Sequence, residues 1–207
     1  GFGGVTGLLG PDGLALSSDG KHLYAAAAGS SSVAIFGRDN NAASATFGEL
    51  DFLGEVRDGV DGADGLSLAR GLVLAPDDAH LYVIGEADNA VAVFARNAAS
   101  GALTFVEFHR DGVAGVSGLA GPRGVAVSPD GAQVYVAAGT GNAVAHFTRE
   151  TANASPDFGK LTFVEAYVDG IGGVDGVQGA AAVLVSPDPF GSDPGGQHVY
   201  VAGRGEN

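Results

Sequence analysis

The chain contains no cysteine, methionine or tryptophan and only 10 lysines and arginines among 207 residues. Without cysteine there is no disulfide, no thiolate nucleophile and no thiolate metal ligand, and the redox compartment is left open. The few cations face 24 acidic residues, for a formal charge of −14, which opposes binding to nucleic acid or to an anionic membrane. No apolar run approaches the roughly 20 residues a transmembrane helix needs. Gly stands at position 1 and methionine is absent throughout, so a processed or excised product is expected. A removed signal peptide, and with it an extracellular or periplasmic location, would fit.

Glycine is abundant, with 36 copies, and hydrophobic residues make up 45% of the chain. Many glycines punctuate short apolar runs where turns belong. The runs repeat: GLALSSDGKHLYAAAAG from Gly13, GLVLAPDDAHLYVIG from Gly71, GVAVSPDGAQVYVAAG from Gly124, and AVLVSPDPFGSDPGGQHVYVAG from Ala182. Their marker tyrosines, Tyr24, Tyr82, Tyr135 and Tyr200, are separated by 58, 53 and 65 residues. The longer loop Pro189 to Gly196 accounts for the last spacing.

Each full unit holds four short strand candidates. In the second they are Leu72 to Ala75, His80 to Ile84, Ala90 to Ala95 and Leu103 to Arg110. Pro76-Asp77-Asp78, Ser18-Asp19-Gly20 and Pro129-Asp130-Gly131 are tight reversals between the first two strands. Glycine and turn signals interrupt every segment too soon for a long helix, while β-branched and aromatic residues are enriched. Four strands in roughly 50 residues is the period of a propeller blade. A β-solenoid repeats over fewer residues, and a two-sheet sandwich does not require this internal register.

The fold class expected is therefore all-β: one propeller repeat region over residues 1–207, with four-stranded antiparallel blades at about 11–58, 70–111 and 123–169. The first hairpin of a fourth lies at 181–207. Propellers close radially to remove open edges. The count thus implies part of a ring of six to eight blades, a ring completed by other copies, or an irregular four-blade form. The partner expected at the open edge is the remainder of a longer chain or another protein.

The segments SPDGAQVYVAA, NAVAVFARNAASGALTFVE and DGVAGVSGLAGPRGVAVSPDG resemble the bacterial lactonase-like, YVTN-type seven-bladed propellers over nearly the whole chain. That resemblance implies that the first strand of each blade is innermost. It also implies that binding or hydrolysis uses loops at one mouth of the axial channel.

Asp12, Arg70, Arg123 and Ala181 share one repeat position leading into the inner strands. Arg70 and Arg123 either converge on an anionic ligand or tie a connector to the next blade. Asp58, Asp111 and Asp169 each precede Gly after a fourth strand, and Asp61 and Asp64 join the first of them in DGVDGADG. Asp58, Asp61 and Asp64 are candidate Ca²⁺ ligands, although Asp-Gly is also a good turn. His22, His80 and His198 recur just before Leu-Tyr or Val-Tyr, where Gln133 stands in the third copy. That placement predicts a packing or hydrogen-bonding task between blades. His146 replaces an apolar residue and is either internally bonded or solvent-facing.

No nucleophile elbow, P-loop or dinucleotide fingerprint is present. The leading expectation is a non-catalytic scaffold or recognition module presenting variable loops. The alternatives are a lactone hydrolase or related metal-assisted enzyme at the axial channel, and a structural subunit of a filament or complex. Oxygens converging on a cation in the channel would favour the metal-assisted enzyme. A channel of Ala, Val, Gly and paired arginines would count against it.

Overall fold

A computed structural model describes residues 4–187 and 198–205. The loop Pro189 to Gly196 and the last residues of the chain lie outside the described residues. Three four-stranded antiparallel sheets follow one another, each in simple meander order, and a two-stranded hairpin follows them. Blade 1 comprises β1 (Pro11–Leu16), β2 (His22–Ala27), β3 (Ser32–Arg38) and β4 (Leu50–Arg57). Blade 2 comprises β5 (Ala69–Leu74), β6 (His80–Gly85), β7 (Ala90–Arg96) and β8 (Leu103–Arg110). Blade 3 comprises β9 (Pro122–Val127), β10 (Gln133–Ala138), β11 (Ala143–Arg149) and β12 (Leu161–Val168). The hairpin is β13 (Ala182–Val185) and β14 (Val199–Ala202). Among the described residues no helix is long and apolar enough to cross a membrane.

Sequence and structure agree on the reversals between first and second strands. Ser17 and Ser128 each donate a hydroxyl to the turn aspartate two residues on, Asp19 and Asp130. Each hydroxyl oxygen also accepts the amide at the start of the next strand. A buried serine thus satisfies the polar groups of an exposed turn. Ser186 accepts the His198 amide in the same way, so the fourth hairpin keeps the pattern.

The core lies between blades rather than within them. One cluster joins Tyr24, Val33 and Ile35 of blade 1 to Leu81, Val83 and Phe94 of blade 2. A second joins Tyr82, Ile84 and Val93 of blade 2 to Val134, Val136 and Phe147 of blade 3. The middle strands carry these seams, and β6 is buried at every position because it faces a neighbour on both sides. Phe36–Phe52, Phe94–Phe105 and Phe147–Phe163 form an edge-to-face pair at the same place in each blade, with centroids 5.6, 5.6 and 5.5 Å apart.

Connectors between blades are pinned by short polar side chains. Asp58, Asp111 and Asp169 each accept a backbone amide eight residues later, from Leu66, Leu119 and Val177. Those three apolar side chains are buried in or beside the seams. At the axis the inner strands meet backbone to backbone: a Cβ on Gly13 would lie 2.5 Å from the Arg70 carbonyl, and one on Gly124 2.9 Å from the Ala182 Cα. Only glycine tolerates that approach.

Candidate functional site at the axial opening

In each complete blade the inner strand is one residue longer than its partner requires. Pairing shifts between Pro11 and Gly13, between Ala69 and Gly71, and between Pro122 and Gly124. The extra residues are Asp12, Arg70 and Arg123. A bulge leaves its additional residue out of the ladder and re-aims the side chain, so the repeat position singled out in the sequence is a bulge in every complete blade. This is also why β5 begins at Ala69 rather than at Leu72, where regular alternation starts.

The three bulge residues line one opening of about 420 Å³ with Leu14, Leu72, Val125 and Arg204. Arg70 donates from Nη1 to Asp12 Oδ2 at 2.7 Å and from Nε to Glu86. Arg123 Nη2 lies 3.2 Å from the other Glu86 oxygen. Glu86 thus bridges two guanidiniums, and its hydrogen bond, followed by that of Asp12, holds Arg70 more firmly protonated than usual. About a third of the Arg70 and Arg123 side chains remains open to solvent. Arg204 is exposed at the same opening and forms no ion pair with a described residue. Glu86 and Arg204 were not singled out from sequence, although both lie four residues after a marker tyrosine.

The guanidiniums tie blade to blade, and they also converge on the axis. The donor set is three arginines against two carboxylates, Asp12 and Glu86, each already engaged by a guanidinium. Such a set suits a carboxylate or phosphate better than a cation.

The candidate Ca²⁺ ligands are elsewhere. Asp58 and Asp64 come together with Asp88, their oxygens lying within 4.8 Å of one another, and Asp61 is not a member of this group. Asp58 accepts the Leu66 amide, and Asp88 the Ser67 amide. Arg110 Nη2 reaches Asp64 at 3.4 Å and Asp88 at 3.2 Å. Burial, assisted by the neighbouring Asp88 and Asp64, raises the Asp58 carboxyl above its ordinary value. Arg110 offsets part of this negative charge, and the bonds that Asp58 and Asp88 accept from Leu66 and Ser67 hold the connector against blade 2.

Two of the recurring histidines, His22 and His80, face neighbouring blades. His22 Nδ1 is 3.0 Å from Arg96 Nη2, and His80 Nδ1 is 3.2 Å from Arg149 Nη2. His146 is internally bonded: its Nε2 lies 2.6 Å from Gln133 Oε1, and its ring stacks on Tyr135 at 4.6 Å. Gln133 occupies the position that holds histidine in the other copies.

The family described as Lactonase, 7-bladed beta-propeller matches residues 4–115 and 61–170. A Bacteroides fragilis protein proposed to be a 6-phosphogluconolactonase shares 26% identity and a TM-score of 0.61, over 77% of this chain and 39% of its own. The periplasmic gluconolactonase of Pseudomonas aeruginosa shares 25% identity and a TM-score of 0.58, over 76% and 40%. Kuenenia stuttgartiensis hydrazine synthase, at 24% identity and TM-score 0.59 over 91% and 42%, shows likeness of fold alone. The chain thus spans about two fifths of the length of these structures. No curated protein matches it.

Proposed function

This chain belongs to the lactonase seven-bladed β-propeller family, and from that premise we propose that it forms part of a propeller binding an anionic sugar-acid lactone, or the aldonate derived from it, at the axial opening. Family membership favours the lactonase reading over the non-catalytic scaffold that sequence alone put first. The observation that carries the site is local: Arg70, Arg123 and Arg204 gather at one opening of a chain whose formal charge is −14. A cationic mouth on an acidic body draws a small anion to that point.

Lactone hydrolysis adds water to the ring carbonyl, and negative charge develops on the carbonyl oxygen before the ring oxygen leaves. Guanidiniums preorganised by Glu86 and Asp12 would hold the substrate's anionic group and stabilise that oxygen. The paired arginines and the Gly, Leu and Val around them give no support to a metal-assisted version at this opening. A periplasmic location fits the Pseudomonas neighbour.

The test is calorimetric titration of the native protein with gluconate and 6-phosphogluconate, beside a pH-stat assay of 6-phosphoglucono-δ-lactone hydrolysis. Binding that weakens with salt, and weakens at least roughly tenfold in Arg123→Gln by loss of a charge-assisted contact of about 1.4 kcal/mol or more, is the expected result. Unchanged affinity in both Arg123→Gln and Arg204→Gln would remove the axial site. Binding without turnover would return the recognition module.

A further inference from the structure

Blade 1 repeats a socket that is filled in blade 3, and among the described residues nothing occupies the blade 1 copy. In blade 3 the socket is Arg149, Phe158 and Gly159, and its occupants are His80 and Tyr82 of blade 2. The Tyr82 hydroxyl donates to the Gly159 carbonyl at 2.8 Å and accepts from Arg149 Nε at 2.6 Å. The His80 ring stands edge-on to Phe158, with centroids 4.7 Å apart. Gly159 leaves the room they need, because a Cβ there would meet the His80 ring at 2.2 Å.

Arg38, Phe47 and Gly48 repeat this set at the same spacing in blade 1. The loop that carries them closes with the same backbone bonds: Phe47 and Phe158 amides donate three residues back, and Gly48 and Gly159 amides donate to Asp39 and Glu150. Arg38 sits over Phe47 at 5.2 Å, as Arg149 sits over Phe158 at 5.3 Å. Arg38 Nη1 donates to the Gly20 carbonyl, as Arg149 Nη1 does to Gly131. What differs is the occupant. Phe47 is 51% exposed, and a Cβ on Gly48 would meet nothing within 4 Å.

Beside the socket, part of the sheet face is also open among the described residues, although Val5 packs against Phe36. Leu14 is 66% exposed, whereas Leu72, its equivalent in blade 2, is 9% exposed beneath blade 1. Phe36 and Phe52 make a small cluster on that face, matching Phe94 and Phe105 in the first seam.

We infer that this face of blade 1 is the docking site of a further blade of the same ring, whose second strand presents His-x-Tyr to the Arg38–Phe47–Gly48 socket. Both filled seams define that chemistry. Tyr24 bonds the Gly101 carbonyl and Arg96 as Tyr82 bonds Gly159 and Arg149. His198 and Tyr200 of a second copy carry the same side chains. A further blade is favoured because the family's ring has seven and this chain spans about two fifths of its structural neighbours.

The experiment places the photo-crosslinking residue p-benzoyl-phenylalanine at position 47 of the native, full-length protein, followed by peptide mass spectrometry. The expected product joins position 47 to a His-x-Tyr hairpin outside residues 198–200. A crosslink to residues 198–200 of a second copy would overturn the assigned occupant. A crosslink to a segment without His-x-Tyr, or none under conditions where the same label at position 158 captures His80 to Tyr82, would overturn the socket. Thermal unfolding gives a second reading: Arg38→Gln in the full-length protein should lower Tm about as much as Arg149→Gln, and an unchanged Tm would also overturn the socket.

Discussion

Arg149 donates its Nε–H to the Tyr82 hydroxyl at 2.6 Å, across the seam between blades 2 and 3. Tyr82 is 0% exposed and Arg149 5%. A charge this buried is tolerable only when its donors are met. Here Asp77, His80 and the Gly131 carbonyl meet the rest of the fork. The seam is therefore apolar over most of its area and held in register at one rim by a charged latch.

Removing the latch hydroxyl should show its worth. Tyr82→Phe leaves Arg149 Nε and the Gly159 carbonyl without their partner, a loss of about 1–3 kcal/mol. For a chain of this size that lowers Tm by about 2–4 °C per kcal/mol. Tyr200 is 57% exposed, so Tyr200→Phe in the 207-residue chain should leave Tm unchanged. Equal shifts in the two variants, by calorimetry, would contradict the latch.

Gly159 and Gly112 share a left-handed backbone, at φ +83° and +74°, but only Gly159 has a neighbour in the way. Gly112→Ala thus measures backbone strain alone. Gly159→Ala adds collision with the His80 ring and should cost about 1–3 kcal/mol more. Denaturant unfolding of the two variants reads the difference directly.

Acid should weaken the seams through the histidines before most carboxylates titrate. Burial first, and the Arg96 charge second, lower the His22 pKa below 6.5; burial and Arg149 do the same at His80, where Asp77 pulls in the opposite direction. A group with a lowered folded pKa contributes stability above its unfolded value, and that stability is lost as pH falls through the folded one. Stability should therefore decline from about pH 6.5 downward. His80→Gln should flatten that limb relative to wild type in unfolding free energies measured from pH 7 to 5. An identical limb would place the acid sensitivity elsewhere.

Asp111 serves the connector, so Asp111→Ala should free the Leu119 amide it accepts at 2.9 Å. A hydrogen bond to a charged acceptor is worth about 1.5–3 kcal/mol. Hydrogen exchange at Leu119 should accelerate at least roughly tenfold, a change of 1.4 kcal/mol in local opening. Asp51→Ala, on the exposed edge of β4, should leave it unchanged.

The strands and reversals were legible because apolar alternation and Ser-x-Asp turns are local signals. β8, at Leu103–Arg110, has the bounds its sequence predicts. The bulges were not, since the extra residue at Arg70 or Arg123 interrupts the alternation that marks a strand. The family resemblance, which puts the first strand innermost, nevertheless pointed that repeat position to the axis. The latch was half legible. The sequence reading assigned the histidines to a task between blades. Arg38, Arg96 and Arg149 each follow a marker tyrosine by 14 residues, a regularity that does not reveal their partners. The tyrosine serves the arginine of the next blade, about 70 residues on, rather than the one in its own repeat. No local pattern encodes that exchange, because it depends on how two sheets stack.

The glycines at the hub bear on how many wedges complete a circle. A wedge's angle follows from the contrast between its thickness at the rim and at the axle. Gly13 and Gly124 thin the axle to bare main chain, while phenylalanine and leucine keep the middle broad. A methyl group added at either glycine would thicken only the narrow end. Each sector would then subtend a smaller arc, and the same number of sectors would no longer meet.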